Sequence, residues 1–272
     1  MKALESSHQI CPGSILQIQL VFHHNERWLE IRNLNLENIE DLKGLDELDK
    51  LNSLTISNCE IRDISGLNNL PYLSSLILYG NKIEKIQGLD ELKNLEHLTI
   101  SANKIKEICN IDNFILLKSL QLDNNNIQEI KGLENNQILE NLNLSINNIS
   151  KISGINHLRN LKFLMLNSNS ISKIEGLTGL ENLERLFLNN NRIDKIVNLD
   201  HLQNLKDLHL KSNMIEEITG IENLTNLEYL DLTNNRIRKV GALHHLDNLK
   251  KIHIVVDVLD FTPNIKDIED QK

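Results

Sequence analysis

A chain of 272 residues with a formal net charge of −9 carries an acidic surface that repels phosphate backbones, so nucleic acid is not an expected partner. Apolar residues make up 40%, yet there are only one Trp, three Tyr and five Phe, so the core is built from many small Leu and Ile layers rather than a few large anchors. Gly and Pro are too scarce for a collagenous or low-complexity chain, and no apolar stretch reaches the ~20 residues of a membrane span.

In chain order, Leu16, Ile18, Leu20 and Phe22 alternate with other residues before His23-His24-Asn25-Glu26 interrupts and Trp28 follows. This predicts an N-terminal cap over residues 1–28, a β-hairpin set against the first repeat to cover an open sheet edge. The same segment has no basic stretch followed by an apolar one, and Gln17 and Gln19 break its best apolar run, so no leader is expected. From Leu29 a Leu recurs every 22 residues to Leu249, which defines ten units over residues 29–248. Counting that Leu as position one, each unit reads L-x-x-L-x-L-x-x-N-x-I-x-x-I-x-x-L-x-x-L-x-x. Position eleven is Ile from Ile39 through Ile237, and position nine is Asn in eight consecutive units from Asn81 to Asn235.

Each position has a physical task. Positions four to six alternate with period two, which predicts a short half-buried strand. Positions eleven, fourteen, seventeen and twenty, such as Ile83, Ile86, Leu89 and Leu92, point inward on the return path, and only stacked neighbours can bury them. The recurring Asn, with two donors and an acceptor, is expected to satisfy backbone groups at the bend as a buried polar ladder. The first unit has Arg32 where Leu is expected and Glu37 where Asn is expected. At the far end Leu249, Ile252 and Ile254 begin a capping strand, Asp257 takes the Asn position, Pro263 stops the pattern, and the charged tail of 249–272 frays over Lys266–Lys272.

With phrases such as NNRIDKIVNLDHLQNLKDLHL and NKIEKIQGLDELKNLEHLTI repeating across residues 29–256, the chain resembles the leucine-rich-repeat family with 22-residue units, among them type-1 protein phosphatase regulatory subunit 7. Internalins and dynein-associated leucine-rich proteins share the unit. The resemblance implies an α/β solenoid, a horseshoe with a concave parallel β-sheet and short 3-10 or turn segments on its convex side. It also implies a protein partner, a phosphatase-type enzyme in the regulatory subunit's case, gripped by acidic and aromatic residues at the middle exposed strand position. Those positions are Asn33, Thr55, Ile77, Thr99, Gln121, Asn143, Met165, Phe187, His209, Asp231 and His253, of which Phe187 and Asp231 have the implied chemistry. The internalin likeness implies, as an alternative, a surface adhesin.

Read from the residues themselves, positions three, five and seven form the exposed sheet face. Through the first six repeats they are mostly small and uncharged (Ser53, Thr55, Ser57, Ser75, Thr99, Ser101, Ser119, Gln121). From the seventh repeat Phe163, Met165, Arg185, Phe187, Asp207, His209, Lys211, Tyr229, Asp231, Lys251 and His253 appear. Aromatic and Arg side chains on a rigid surface are the material of interaction hot spots, which marks Phe163, Met165, Arg185, Phe187, Asp207, His209, Tyr229, Asp231 and His253 as a candidate partner-binding patch. His209, Asp231 and His253 share one position on three consecutive strands, so a zinc site, and with it a metal-dependent hydrolase, is the competing reading. No nucleotide-loop, zinc-protease or serine-hydrolase motif is present, and no cofactor is expected. Cys59 replaces Asn in the ladder as a small buried thiol; with Cys11 and Cys109 it makes an odd set without a CxxC pair, as in a reducing compartment. Asn136, where Leu is expected, should loosen the core locally. The expectation is a monomeric, cytoplasmic, non-enzymatic scaffold that binds a folded protein.

Overall fold

The computed structural model describes residues 18–19, 27–241 and 243–255. The chain forms two compact units, Met1–Ile127 with Lys131–Leu139, and Gln128–Ile130 with Glu140–Lys272. In the first unit the strands are β1 (Ile18–Gln19), β2 (Trp28–Arg32), β3 (Leu42–Lys43), β4 (Ser53–Ser57), β5 (Ser75–Ile77), β6 (His97–Thr99) and β7 (Ser119–Gln121). In the second they are β8 (Asn141–Asn143), β9 (Phe163–Met165), β10 (Arg185–Phe187), β11 (Asp207–His209), β12 (Glu217–Ile218), β13 (Tyr229–Asp231), β14 (Lys239–Val240) and β15 (Lys251–His253). Within each unit the sheet strands are parallel neighbours in sequence order, the arrangement of a leucine-rich-repeat solenoid.

The register follows the Leu period. Leu54, Leu76, Leu98 and Leu120 align across β4–β7, and Leu164, Leu186, Leu208, Leu230 and Ile252 align across β9–β15. The inward set is sealed from water: Leu183, Leu186, Leu188, Ile193, Leu199 and Leu202 are all fully buried, each contributing roughly 1.5–3 kcal/mol of apolar transfer. Among the described residues there is no α-helix. The return path is 3-10 at Ile39–Asp41 and Leu45–Glu47 and elsewhere a pair of i→i+3 turns, such as Leu180 N–H to Leu177 O at 3.1 Å and Leu183 N–H to Leu180 O at 3.0 Å.

The asparagine ladder forms, buried at six of its eight positions and half-buried at Asn169 and Asn235. Asn103 Oδ1 accepts the Ile83 N–H at 3.0 Å, while its Nδ2 donates to Leu78 O at 2.8 Å and Ser101 O at 3.0 Å. In the second unit Asn191 repeats this, accepting from Ile171 N–H at 3.0 Å and donating to Leu166 O at 2.9 Å and Leu188 O at 3.1 Å. One side chain thus satisfies backbone groups of two successive turns. The residue before the ladder position is left-handed in repeat after repeat: Asn58, Ala102, Asn124, Ser168, Asn190, Ser212 and Asn234 have φ between 54° and 57°, and Ile146, at φ 55°, is the one β-branched occupant.

Two further columns of the framework lie outside the apolar pattern. From Glu96 onward position two alternates in sign, and its members pair across turns: Glu96 with Lys118 at 2.7 Å, Glu140 with Lys162 at 2.9 Å, Glu184 with Lys206 at 2.8 Å and Glu228 with Lys250 at 2.6 Å. A second asparagine column stands at position twenty-two, where Asn182, Asn204, Asn226 and Asn248 each donate to a carbonyl 23 residues earlier at 2.7–2.9 Å.

The first repeat departs from the expected phase. β2 pairs with β4 so that Leu29 faces Leu54 and Ile31 faces Ile56, an offset of 25 rather than 22 residues. Arg32 cannot occupy a buried strand site, and sliding by three residues places Leu29 and Ile31 there instead. Glu30, not Asn33, therefore stands beside Thr55. Of the N-terminal cap expected over residues 1–28, only Ile18–Gln19, which pairs in parallel with β3, and Arg27–Trp28, where β2 begins, fall within the described residues; the remainder, and the tail with Asp257 and Pro263, lie outside them. Asn136 is fully buried. Its Nδ2 donates to Phe114 O at 3.0 Å and Ile111 O at 3.2 Å, and its Oδ1 has no hydrogen-bond partner. The amide is thus half compensated, and it sits next in line to Phe114, a fully buried aromatic at the same repeat position.

Candidate functional site

The buried Leu at the centre of each strand forces its two neighbours outward, because successive side chains leave opposite faces of a strand. In the second unit this creates two ranks. Phe163, Arg185, Asp207, Tyr229 and Lys251 align in one, and Met165, Phe187, His209, Asp231 and His253 in the other. The sequence-derived candidates are therefore brought together side by side, all on the solvent side of one sheet, with Asp231 alone covered to 9% exposure.

Their contacts join the two ranks into one surface. Phe187 and His209 stack with ring centroids 4.4 Å apart and planes 19° from parallel. Tyr229, from the other rank, leans across to lie 4.8 Å from His209 and 5.6 Å from His253. Four rings thus run continuously over four strands, at spacings where aromatic pairs attract beyond their area burial. Arg185 is braced twice: its Cζ lies 5.3 Å from the Phe163 centroid, and its Nε bonds Asp207 Oδ2 at 2.8 Å. Lys251 Nζ stands 5.8 Å from the Tyr229 centroid.

The electrostatics follow from this packing. Burial under the neighbouring rings lowers the His209 pKa from its usual value, outweighing the Asp207 and Asp231 carboxylates that act to raise it. The Tyr229 hydroxyl is pushed up, first by burial and then by Asp231 and Asp207. Asp231 turns to its own strand end, where its Oδ1 accepts the Thr233 N–H at 3.0 Å and the Thr233 hydroxyl at 2.8 Å.

The His209–Asp231–His253 row is in register, but the Tyr229 ring stands beside both imidazoles and the carboxylate is engaged by Thr233. Among the described residues no three His, Cys, Asp or Glu side chains are grouped as metal ligands. Cys59 is buried, with its Sγ 3.1 Å from Ser57 O, and burial pushes its thiol up. It fills a ladder position rather than a reactive one. No helix among the described residues is long and apolar enough to cross a membrane.

The face of the first unit differs in composition. Ile77 and His97 stand there among mostly small, uncharged residues at the equivalent positions, Ser53, Thr55, Ser75, Thr99, Ser119 and Gln121. Their polar groups are spent locally, as where Ser101 Oγ donates to Asp123 at 2.6 Å and Gln121 Nε2 to Ser119 Oγ at 3.1 Å.

Comparison with known proteins agrees with the architecture. The family model of paired leucine-rich repeats matches residues 159–202 and 181–223. Among solved structures, the chain is similar to an internalin (InlF) of Listeria monocytogenes, with 26% identity, a TM-score of 0.68, and coverage of 86% of this chain and 76% of that one. A leucine-rich-repeat protein of Leptospira interrogans gives 24% identity and a TM-score of 0.65, over 78% of this chain and 62% of the other. The plant peptide hormone receptor RGFR1, solved in complex with RGF2, gives 23% and 0.61, over 78% of this chain and 36% of the receptor. No curated protein sequence matches the chain significantly. The leucine-rich-repeat fold is typical of protein–protein interaction domains and of non-enzymatic scaffolds.

Proposed function

We propose that the chain is a protein-interaction scaffold that holds a folded partner on the exposed sheet face of its second unit, with Phe187, His209 and Tyr229 at the centre of the contact. The observation that carries this reading is the run of four rings from Phe187 to His253 at 4.4–5.6 Å spacing, flanked by the braced Arg185. Side chains already held in place by their neighbours lose little freedom on binding, so more of the contact energy remains as affinity. The test is recovery of partners from the native cell by the parent and by a Phe187→Ala/Tyr229→Ala double variant. Loss of specific partners with the variant supports the patch, and identical recovery overturns it. The repeat's likeness to a phosphatase regulator makes a type-1 phosphatase catalytic subunit the first purified protein to assay, although none of the structural relatives above is such a regulator.

We place this scaffold in the cytoplasm, in keeping with the free thiols of Cys59 and Cys109. The structural similarity to an internalin favours one other reading, a cell-surface adhesin presenting the same face. Fractionation of the native cell with surface proteolysis separates the two: protection from external protease supports the first, and cleavage of the intact cell's protein supports the second.

A further inference from the structure

The charges on the second unit's face are unevenly engaged. From β9 to β15, positions three, five and seven hold three cations, Arg185, Lys211 and Lys251, and two acids, Asp207 and Asp231. Both acids are occupied: Asp207 by Arg185 and Asp231, nearly covered, by Thr233. The cations remain outward. The Arg185 side chain keeps half its surface exposed, Lys251 rests beside the Tyr229 ring, and Lys211 is exposed with no ion pair among the described residues. In a chain of net charge −9, this face therefore offers positive charge beside stacked rings.

We propose that the partner segment seated here is an acidic stretch of protein bearing aromatic side chains. Its carboxylates meet Lys211, Lys251 and the free edge of the Arg185 guanidinium, a planar donor fork suited to carboxylates. Its rings lie against the Phe187–His209–Tyr229–His253 row. This rests on the reading of the same face as the binding surface. A basic partner drawn by the chain's overall charge is the competing occupant.

The probes are the random copolymers poly(Glu,Tyr) and poly(Lys,Tyr), with binding followed by fluorescence anisotropy at physiological salt. The parent is compared with Lys211→Glu/Lys251→Glu, with Phe187→Ala/Tyr229→Ala, and with the control Lys173→Glu/Lys195→Glu on exposed return-path sites, each variant first checked for an unchanged melting temperature. The expected result is that the parent binds poly(Glu,Tyr), that both face variants weaken this about tenfold or more, and that the control changes it less than about twofold. The proposal is overturned if poly(Glu,Tyr) does not bind, if the face and control swaps weaken it equally, or if Lys211→Glu/Lys251→Glu leaves it unchanged while poly(Lys,Tyr) binding depends on Phe187 and Tyr229. Native-partner recovery separates the two levels. Loss with Phe187→Ala/Tyr229→Ala but not with the charge swap keeps the face and discards the acidic occupant; no loss with either discards both.

Discussion

From β4–β7 to β9–β15 the buried Leu register and the asparagine hydrogen bonds repeat with little change, while the outward side chains pass from mostly small and uncharged, with Ile77 and His97 among them, to rings and charges. The backbone is therefore indifferent to what it displays. Interactions that hold a turn to its neighbour lie chiefly at positions one, two, four, six, nine, eleven and twenty-two and along the return path. Those available to a partner lie at three, five and seven. Substitution at exposed positions normally moves stability by less than about 0.5 kcal/mol, so a binding surface can be written on one stretch of such a sheet and omitted from another without refolding either.

The sharpest test of this separation is on binding. Replacing Phe187 and Tyr229 with Ala is expected to weaken the partner about a hundredfold, whereas Thr55→Ala/Thr99→Ala should change affinity less than about twofold, both read by calorimetry. If the threonine variant matters as much, the contrast between the faces is gone. Next comes the ladder. Asn191→Ala strands the Ile171 N–H and should cost about 2–3 kcal/mol in denaturant unfolding, and Asn103→Ala in the first unit should cost the same within about 0.5 kcal/mol. A large disparity would mean that the two frameworks are not equivalent.

Smaller effects probe irregularities confined to one place. Asn136→Leu removes an orphaned buried acceptor while the Ile111 and Phe114 carbonyls keep their turn hydrogen bonds from Phe114 and Leu117, so it should raise the unfolding free energy by about 1–2 kcal/mol. Ile146→Asn relieves a β-branched side chain in the left-handed region and should add about 1 kcal/mol, measured by thermal unfolding. The smallest is a pH effect. Folding favours neutral His209, so the unfolded chain takes up its proton at higher pH than the folded one. Stability should therefore decline as pH falls below about 6.5, the ordinary histidine value, until the folded ring itself titrates. His209→Phe should flatten that slope in melting temperature.

The period of 22 made the strands, the inward positions and the bonding pattern of the asparagine ladder legible at once, because each is a consequence of like residues stacking on like. The phase of the first repeat was not legible. Leu29 fits the period, but burial of Leu29 and Ile31 beside Leu54 and Ile56 decides the pairing, and that is a competition between sites rather than a pattern. The patch was legible as a list of neighbours in rank, but not as a surface. That Tyr229 crosses to the rings of the other rank, and that Asp231 turns toward Thr233, depend on side-chain rotations that spacing does not encode. The Glu/Lys alternation at position two was visible in the same alignment; it is found only by comparing the sign of charge from repeat to repeat rather than residue type.

That alternation gives the second unit a parity. Glu140, Lys162, Glu184, Lys206, Glu228 and Lys250 follow one another at intervals of 22 residues. Excising a single repeat would bring two like charges onto adjacent turns, where they repel; excising two would restore opposite neighbours throughout. Lengthening or shortening this stretch thus keeps opposite charges on adjacent turns only in steps of 44 residues.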